Sequence, residues 1–209
     1  MRPALRWPAA CLAFAALFTA ATRVGARDPG TWWMEVAPTL IALPILALTL
    51  PRFRLTPLLY GAIAVHAAIL AVGGHYTYAE VPLGFWVRDA LGLARNHFDR
   101  LGHLAQGFVP ALVARELLVR TSPLRPGGWR FALVTLSCLG ISAAYELVEW
   151  GAAIWLGQGA EAFLGTQGDP WDTQSDMAMA LIGALLAQLA LGRLHDRQIA
   201  RLEARPGRP

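Results

Sequence analysis

Three pairs of ionisable side chains stand inside or at the ends of apolar runs: Asp99 and His103, Glu146 and Glu149, Asp172 and Asp176. Each pair is spaced by three or four residues, which places both members on one face of a helix. An ionised carboxylate at the centre of a bilayer costs about 2.5–3.5 kcal/mol on insertion scales, so such groups face a bundle interior and serve a site. Five carboxylates and one imidazole repel one another unless something neutralises them. Oxygen ligands with one histidine suit a single divalent cation such as Mg²⁺, Mn²⁺, Fe²⁺ or Zn²⁺, and all six residues are candidate ligands. Protons shared among the carboxyls are a second answer. Arg95 or Arg100 folding in as a counter-ion is a third. With a metal bound, His103, Glu149 and Asp172 are the candidate catalytic residues: the metal activates water or polarises a phosphoryl oxygen, and a carboxylate or His103 acts as general base. The spacing is not the Glu-x-x-His pair of di-iron bundles.

The elements that must position these pairs are membrane helices. Of 209 residues, 56% are hydrophobic and 15% charged, and the mean hydropathy is +0.42. A soluble domain carries about 25% charged residues, so lipid is the expected solvent. The sequence predicts an all-α bundle in a single domain, with six spans at about 7–24, 33–50, 57–73, 98–119, 131–156 and 172–192. Residues 1–26 also read as a signal peptide, with Arg2 and Arg6, an apolar stretch over 9–22 and Val24-Gly25-Ala26 as a cleavage site.

Loop charge sets the orientation. With the N-terminus inside, twelve arginines fall in cytoplasmic segments against five (Arg23, Arg27, Arg88, Arg95, Arg100) outside, so both termini are expected in the cytoplasm. Arginines in short runs between apolar segments mark topology and give no basic face for nucleic acid. Trp32, Trp33, Trp86, Trp129, Trp150, Trp155 and Trp171 fall near span ends, as an aromatic belt requires. In this orientation Asp99 and His103 begin the fourth span near the outer face, and Asp172 and Asp176 begin the sixth there. Glu146 and Glu149 lie about 22 and 27 Å from the cytoplasmic end of a core about 30 Å thick. All three pairs therefore arrive at one depth, in the outer leaflet. Gln106 and Pro110 continue the stripe of the fourth span, Thr135 and Ser142 that of the fifth, and Gly183 and Ala187 that of the sixth.

Around this centre, His66 on the third span, with His75, Tyr76 and Tyr78 beyond it, is expected to extend the site outward or simply to bond between helices. His97 is expected as a cap, an interfacial residue or a ligand. Within the connection 74–97, the segment WVRDALGLA is expected to form a short interfacial helix. The arginine-rich tail after Gly192 is expected to be a solvated end, with no role for His195. Cys11 and Cys138 are expected to be two buried, inert thiols.

The stretches GGHYTYAEVPLG (73–84), RNHFDRLGHLAQGFVPALVARE (95–116), YELVEW (145–150) and GTQGDPWDTQSDM (165–177) resemble the YjdF-like family of bacterial membrane proteins. The resemblance covers most of the chain in several long motifs and implies a six-span protein of the bacterial inner membrane; it supplies no reaction. A narrower similarity over about 143–187 is to VanZ-like membrane proteins, which are associated with glycopeptide resistance. It is carried by Glu146-x-x-Glu149, the Gly168-Asp169 turn, Asp172, Asp176 and Gly183. VanZ-like chains have Gln where Glu149 stands and Asn where this chain has Ala180.

Three functions fit these residues. The first is a metal-dependent hydrolase or transferase acting on an envelope lipid or lipid-linked precursor. The second is a small transporter coupled to a cation or proton, although no internal repeat is present and only Pro110 interrupts the fourth span. The third is a structural or accessory protein whose polar centre holds the bundle together. Phosphatase and HExxH motifs and a nucleophile elbow are absent from the sequence. Lipid bilayer is the expected partner, and oligomeric state is left open.

Overall fold

The computed structural model describes residues 3–156 and 166–204. The described residues form seven α-helices and no strands: α1 (Pro3–Thr22), α2 (Pro29–Thr49), α3 (Pro57–Tyr76), α4 (Pro82–Leu91), α5 (Phe98–Thr121), α6 (Gly128–Leu156) and α7 (Asp172–Glu203). Most of loop 157–171, which carries no arginine, lies outside the described residues.

Local chemistry fixes the helix starts. Pro29, Pro57 and Pro82 each open a helix, where the missing N–H costs nothing. Asp28 and Thr56 cap α2 and α3 by accepting from the amides of Thr31 and Leu59 at 2.6 and 3.3 Å. The short α4 covers most of the segment expected to be helical, beginning four residues before the sequence placed it and ending at Leu91. At the end of α3 the chain reverses through two left-handed residues, Thr77 (φ 61°) and Tyr78 (φ 44°). The Tyr78 amide returns to the Gly73 carbonyl at 2.8 Å. This reversal carries the Tyr78 ring inward over Gly73 and Gly102, where a Cβ on either glycine would collide with it.

Five helices (α1, α2, α3, α6 and α7) are long and apolar enough to cross a membrane. The expected fourth span, α5, is not among them, because Asp99, Arg100, His103, Gln106, Arg115, Glu116 and Arg120 dilute its apolar content. It is instead the helix most enclosed by others, packing on α3, α6 and, most extensively, α7. Small residues allow that closeness: a Cβ on Gly107 would run into the Ala180 carbonyl, and one on Gly183 into that of Leu104. The apolar core around Leu59, Tyr60, Val109, Leu112, Val134 and Cys138 fills the centre of the bundle. Leu48, Val65, Leu136, Val148 and Leu189 point outward, as lipid-facing side chains do.

Several details depart from the sequence reading. Trp33, Trp86, Trp129, Trp150, Trp155 and Trp171 are exposed as a belt would be, but Trp32 is buried and donates to Thr22 Oγ1 at 3.1 Å. The chain after Gly192 is no loose tail. It continues α7 to Glu203, and its inner face carries His195 and Ile199, both fully enclosed. His195 Nε2 lies 2.9 Å from Glu116 Oε2, whose carboxylate also takes Thr56 Oγ1 at 2.8 Å and Arg120 Nη1 at 2.6 Å. Arg115 and Arg130 meet Asp196 at 2.7 and 3.4 Å. Arginine content gave the impression of a solvated end, but the apolar and pairing side chains recur at helical spacing. Cys11 and Cys138 are free and buried on different helices, as expected.

Candidate functional site

The polar centre is assembled where the N-terminal turns of α5 and α7 meet the end of α6. Two connections bring those turns together. Asn96, just before α5, donates to the Val81 carbonyl at 2.9 Å and exchanges bonds with Gln167, whose Nε2 reaches the Asn96 carbonyl at 2.7 Å. Gln167 (φ 48°) and Gly168 (φ 83°) both take left-handed backbone, which turns the chain sharply into Asp169 and α7. The residue types of this turn are thus set by the need to clamp α5 to α7.

The geometry divides the six candidate residues into groups. Asp172 belongs with Asp169 to an arginine clamp. Arg95 Nη2 is 2.8 Å from both Asp169 Oδ2 and Asp172 Oδ1, and its Nη1 donates to the Thr166 carbonyl at 2.5 Å. Arg100 Nη2 reaches the same two oxygens at 3.1 Å, while its Nη1 bonds Asp176 Oδ1 and the Asp172 carbonyl. Both arginines therefore serve as the counter-ions that the sequence offered as one of three answers, and they are committed to Asp169, Asp172 and one oxygen of Asp176. His97 sits at the start of α5 beside them without a side-chain capping bond. Burial and the adjacent Arg95 and Arg100 charges lower its pKa from the usual histidine value.

Asp99, His103 and Asp176 form the second group. His103 Nε2 stands 3.5 Å from Asp99 Oδ1 and 3.8 Å from Asp176 Oδ2. Its other nitrogen, Nδ1, is 2.8 Å from Gln106 Oε1. With an amide oxygen as partner, Nδ1 donates to Gln106, and Nε2 faces the two carboxylate oxygens. One ligand atom from each of the three residues lies within 4.8 Å of the others. One imidazole nitrogen and two carboxylate oxygens are a set that can hold a metal ion, and a metal-bound histidine usually has its second nitrogen held by an oxygen as here. His103 and Asp176 are buried and Asp99 is partly so.

Glu146 and Glu149 approach the same centre from α6. Glu146 Oε1 lies 3.9 Å from His103 Nδ1, is buried and has no hydrogen-bond partner. Glu149 lines a cavity of about 150 Å³ with Asp99, His103, Gln106, Tyr78 and Tyr145. His66 also lines it, with its Nε2 buried and unbonded. His75 and Tyr76 do not join: His75 Nδ1 bonds the Thr22 carbonyl at 2.7 Å, and Tyr76 lies under Arg27.

One wall of the cavity was missed in the sequence. Glu35 on α2, 5% exposed, lines it opposite Asp99 and makes no hydrogen bond or ion pair among the described residues. The signal was available: Glu35 is the lone carboxylate in the apolar run 33–50, the same anomaly that singled out Glu146.

A family model described as "Predicted membrane protein (DUF2238)" matches residues 7–197. The chain is 56% identical over 180 residues to "Inner membrane protein YjdF" of Escherichia coli (strain K12), covering 86% of each. No solved structure matches it. Family membership, this relative and the five apolar helices make the chain a multi-pass protein of the bacterial inner membrane. The chain belongs to the DUF2238 family of membrane proteins.

Proposed function

We propose that Asp99, His103 and Asp176 hold one divalent metal, and that this centre carries out hydrolysis or group transfer on an envelope lipid near the outer leaflet. The observation that supports this reading is His103 Nε2 facing two carboxylate oxygens, with Gln106 holding the ring at Nδ1. Arg100 takes one oxygen of Asp176 and leaves the other turned toward His103. A bound metal would lower the pKa of a coordinated water and polarise an ester or phosphoryl oxygen. A carboxylate of the site would accept the proton that the attacking water loses and return it to the leaving oxygen, and Glu149 lines the cavity beside the centre. Asp172 acts here at one remove, by orienting Arg95 and Arg100.

This reading takes α5 as a sixth span, with both termini in the cytoplasm. Its 24 residues rise about 36 Å, enough for a core of about 30 Å. Its charges are paired inside the bundle, with Arg100 on the α7 carboxylates, Glu116 on His195 and Arg120, and Arg115 on Asp196. The arginine distribution supports the orientation.

The test is turnover. Purified protein loaded with Zn²⁺, Mn²⁺ or Mg²⁺ is incubated with radiolabelled bacterial envelope lipids, and products are separated by chromatography. A product that needs metal and disappears in Asp99→Asn agrees with the proposal. Unchanged lipid with every metal contradicts it. A second reading, cation-coupled transport through the carboxylate-lined cavity, is favoured by Glu35, which the metal cluster does not use. Metal-dependent uptake into vesicles without any lipid product would move the assignment there.

A further inference from the structure

The cavity holds more carboxyl groups than the metal cluster uses. Glu35 and Glu149 line it beside Asp99, and neither has a hydrogen bond or ion pair among the described residues. The two arginines nearest the site are spent on Asp169, Asp172 and Asp176. A divalent metal among Asp99, His103 and Asp176 offsets Asp99 and the free oxygen of Asp176, and Glu35 and Glu149 remain. Glu35 is buried and no described residue bonds it, so its carboxyl group is available to a partner in the cavity. A 95%-buried, unbonded carboxylate turned into a cavity is a group whose partner comes from outside the chain.

The other lining residues narrow the partner's chemistry. Tyr78 and Tyr145 present aromatic rings and Gln106 an amide to the same space. Carboxylates with aromatic faces recognise an ammonium ion, by charge and by the quadrupole of the rings. The volume, about 150 Å³, equals about five waters at liquid density, too little for a whole lipid and enough for a two-carbon amine. Any longer apolar portion must stay outside. The cavity is lined by residues of α2, α3, α5 and α6, and α2 packs on α1 and α3 while α6 packs on α5 and α7.

We infer that Glu35 and Glu149 form an ammonium-binding subsite, and that the substrate of the neighbouring centre carries a small primary ammonium group, as a lipid headgroup or as a free amine. The inference rests on reading this cavity as the substrate site, and it does not require the metal.

The test is titration of ethanolamine into the full chain in detergent, followed by calorimetry, with glycerol and sodium chloride as controls. Metal content is measured on the same samples. Saturable ethanolamine binding, absent for glycerol and weakened at least about tenfold in Glu35→Gln, is the expected result. Glu149→Gln is the second variant, with the same expectation should Glu35→Gln fail to fold. Binding that persists in metal-free protein upholds the subsite while the metal proposal fails. Metal without ethanolamine binding, or binding undiminished in the folded variants, overturns the subsite alone. Repeating the titration in nanodiscs of phosphatidylglycerol, with and without phosphatidylethanolamine, identifies the source. Competition by the second lipid assigns a lipid headgroup, and undisturbed ethanolamine binding assigns a free amine.

Discussion

Arg100 grips Asp176 by Oδ1 and leaves Oδ2 3.8 Å from His103 Nε2. One carboxylate is thereby shared between a structural clamp and the candidate metal centre. The clamp fixes where the α7 helix begins against α5, and the centre inherits that geometry.

Removal of either arginine should show how much the clamp holds. Arg100→Ala strands the buried Asp176 while Arg95 still holds Asp172, and breaking such a pair costs about 3–5 kcal/mol. Arg100→Lys should recover only part of this, because an ammonium cannot span three carboxylates as the planar guanidinium does. Thermal unfolding in detergent gives the order: wild type above Arg100→Lys, and Arg100→Lys above Arg100→Ala. Equal stability of all three would show that the clamp is not formed.

The α5–α7 crossing is tight enough to exclude a methyl group. Gly107→Ala and Gly183→Ala should each lower stability by about 1–3 kcal/mol through overpacking against the facing backbone. Gly140→Ala, where a Cβ meets nothing within 4 Å, should not destabilise. The three melting temperatures, compared side by side, check this.

At the other end of the bundle, Glu116→Ala leaves Arg120 and His195 without their buried partner and should cost about 3–5 kcal/mol. His195→Ala should cost less, about 1–3 kcal/mol, because Thr56 and Arg120 still satisfy the carboxylate. Chemical denaturation of the two variants tests the order. The reverse order would give His195 the larger part.

Much of this arrangement was legible in the sequence. Apolar length pointed to the helices, the third beginning at 57 as expected and the second at Pro29, four residues before the expected 33. The i, i+4 spacing of Asp99 and His103 gave the stripe that faces Asp176. What the sequence hid was partner choice. Periodicity places Asp172 on the inner face of α7 but cannot say that Arg95 and Arg100 take it, since that depends on the Asn96–Gln167 clamp between distant loops. Glu35 was passed over because a single carboxylate has no spacing to notice. The His195 end was misjudged because arginine count outweighed the helical repeat of His195 and Ile199. For α5 the helix itself was legible over 98–119, while the partners of its charges, such as Asp176 for Arg100 and His195 for Glu116, emerge only from the fold.

The central claim, that Asp99, His103 and Asp176 hold a metal, is tested most directly by metal content. Elemental mass spectrometry is run on the purified chain beside His103→Ala and Asp176→Asn, each confirmed folded by circular dichroism. About one divalent metal per wild-type chain, lost in both folded variants, is the predicted result. Metal-free wild-type protein after loading with Zn²⁺, Mn²⁺, Fe²⁺ and Mg²⁺, or metal retained in both variants, would contradict it.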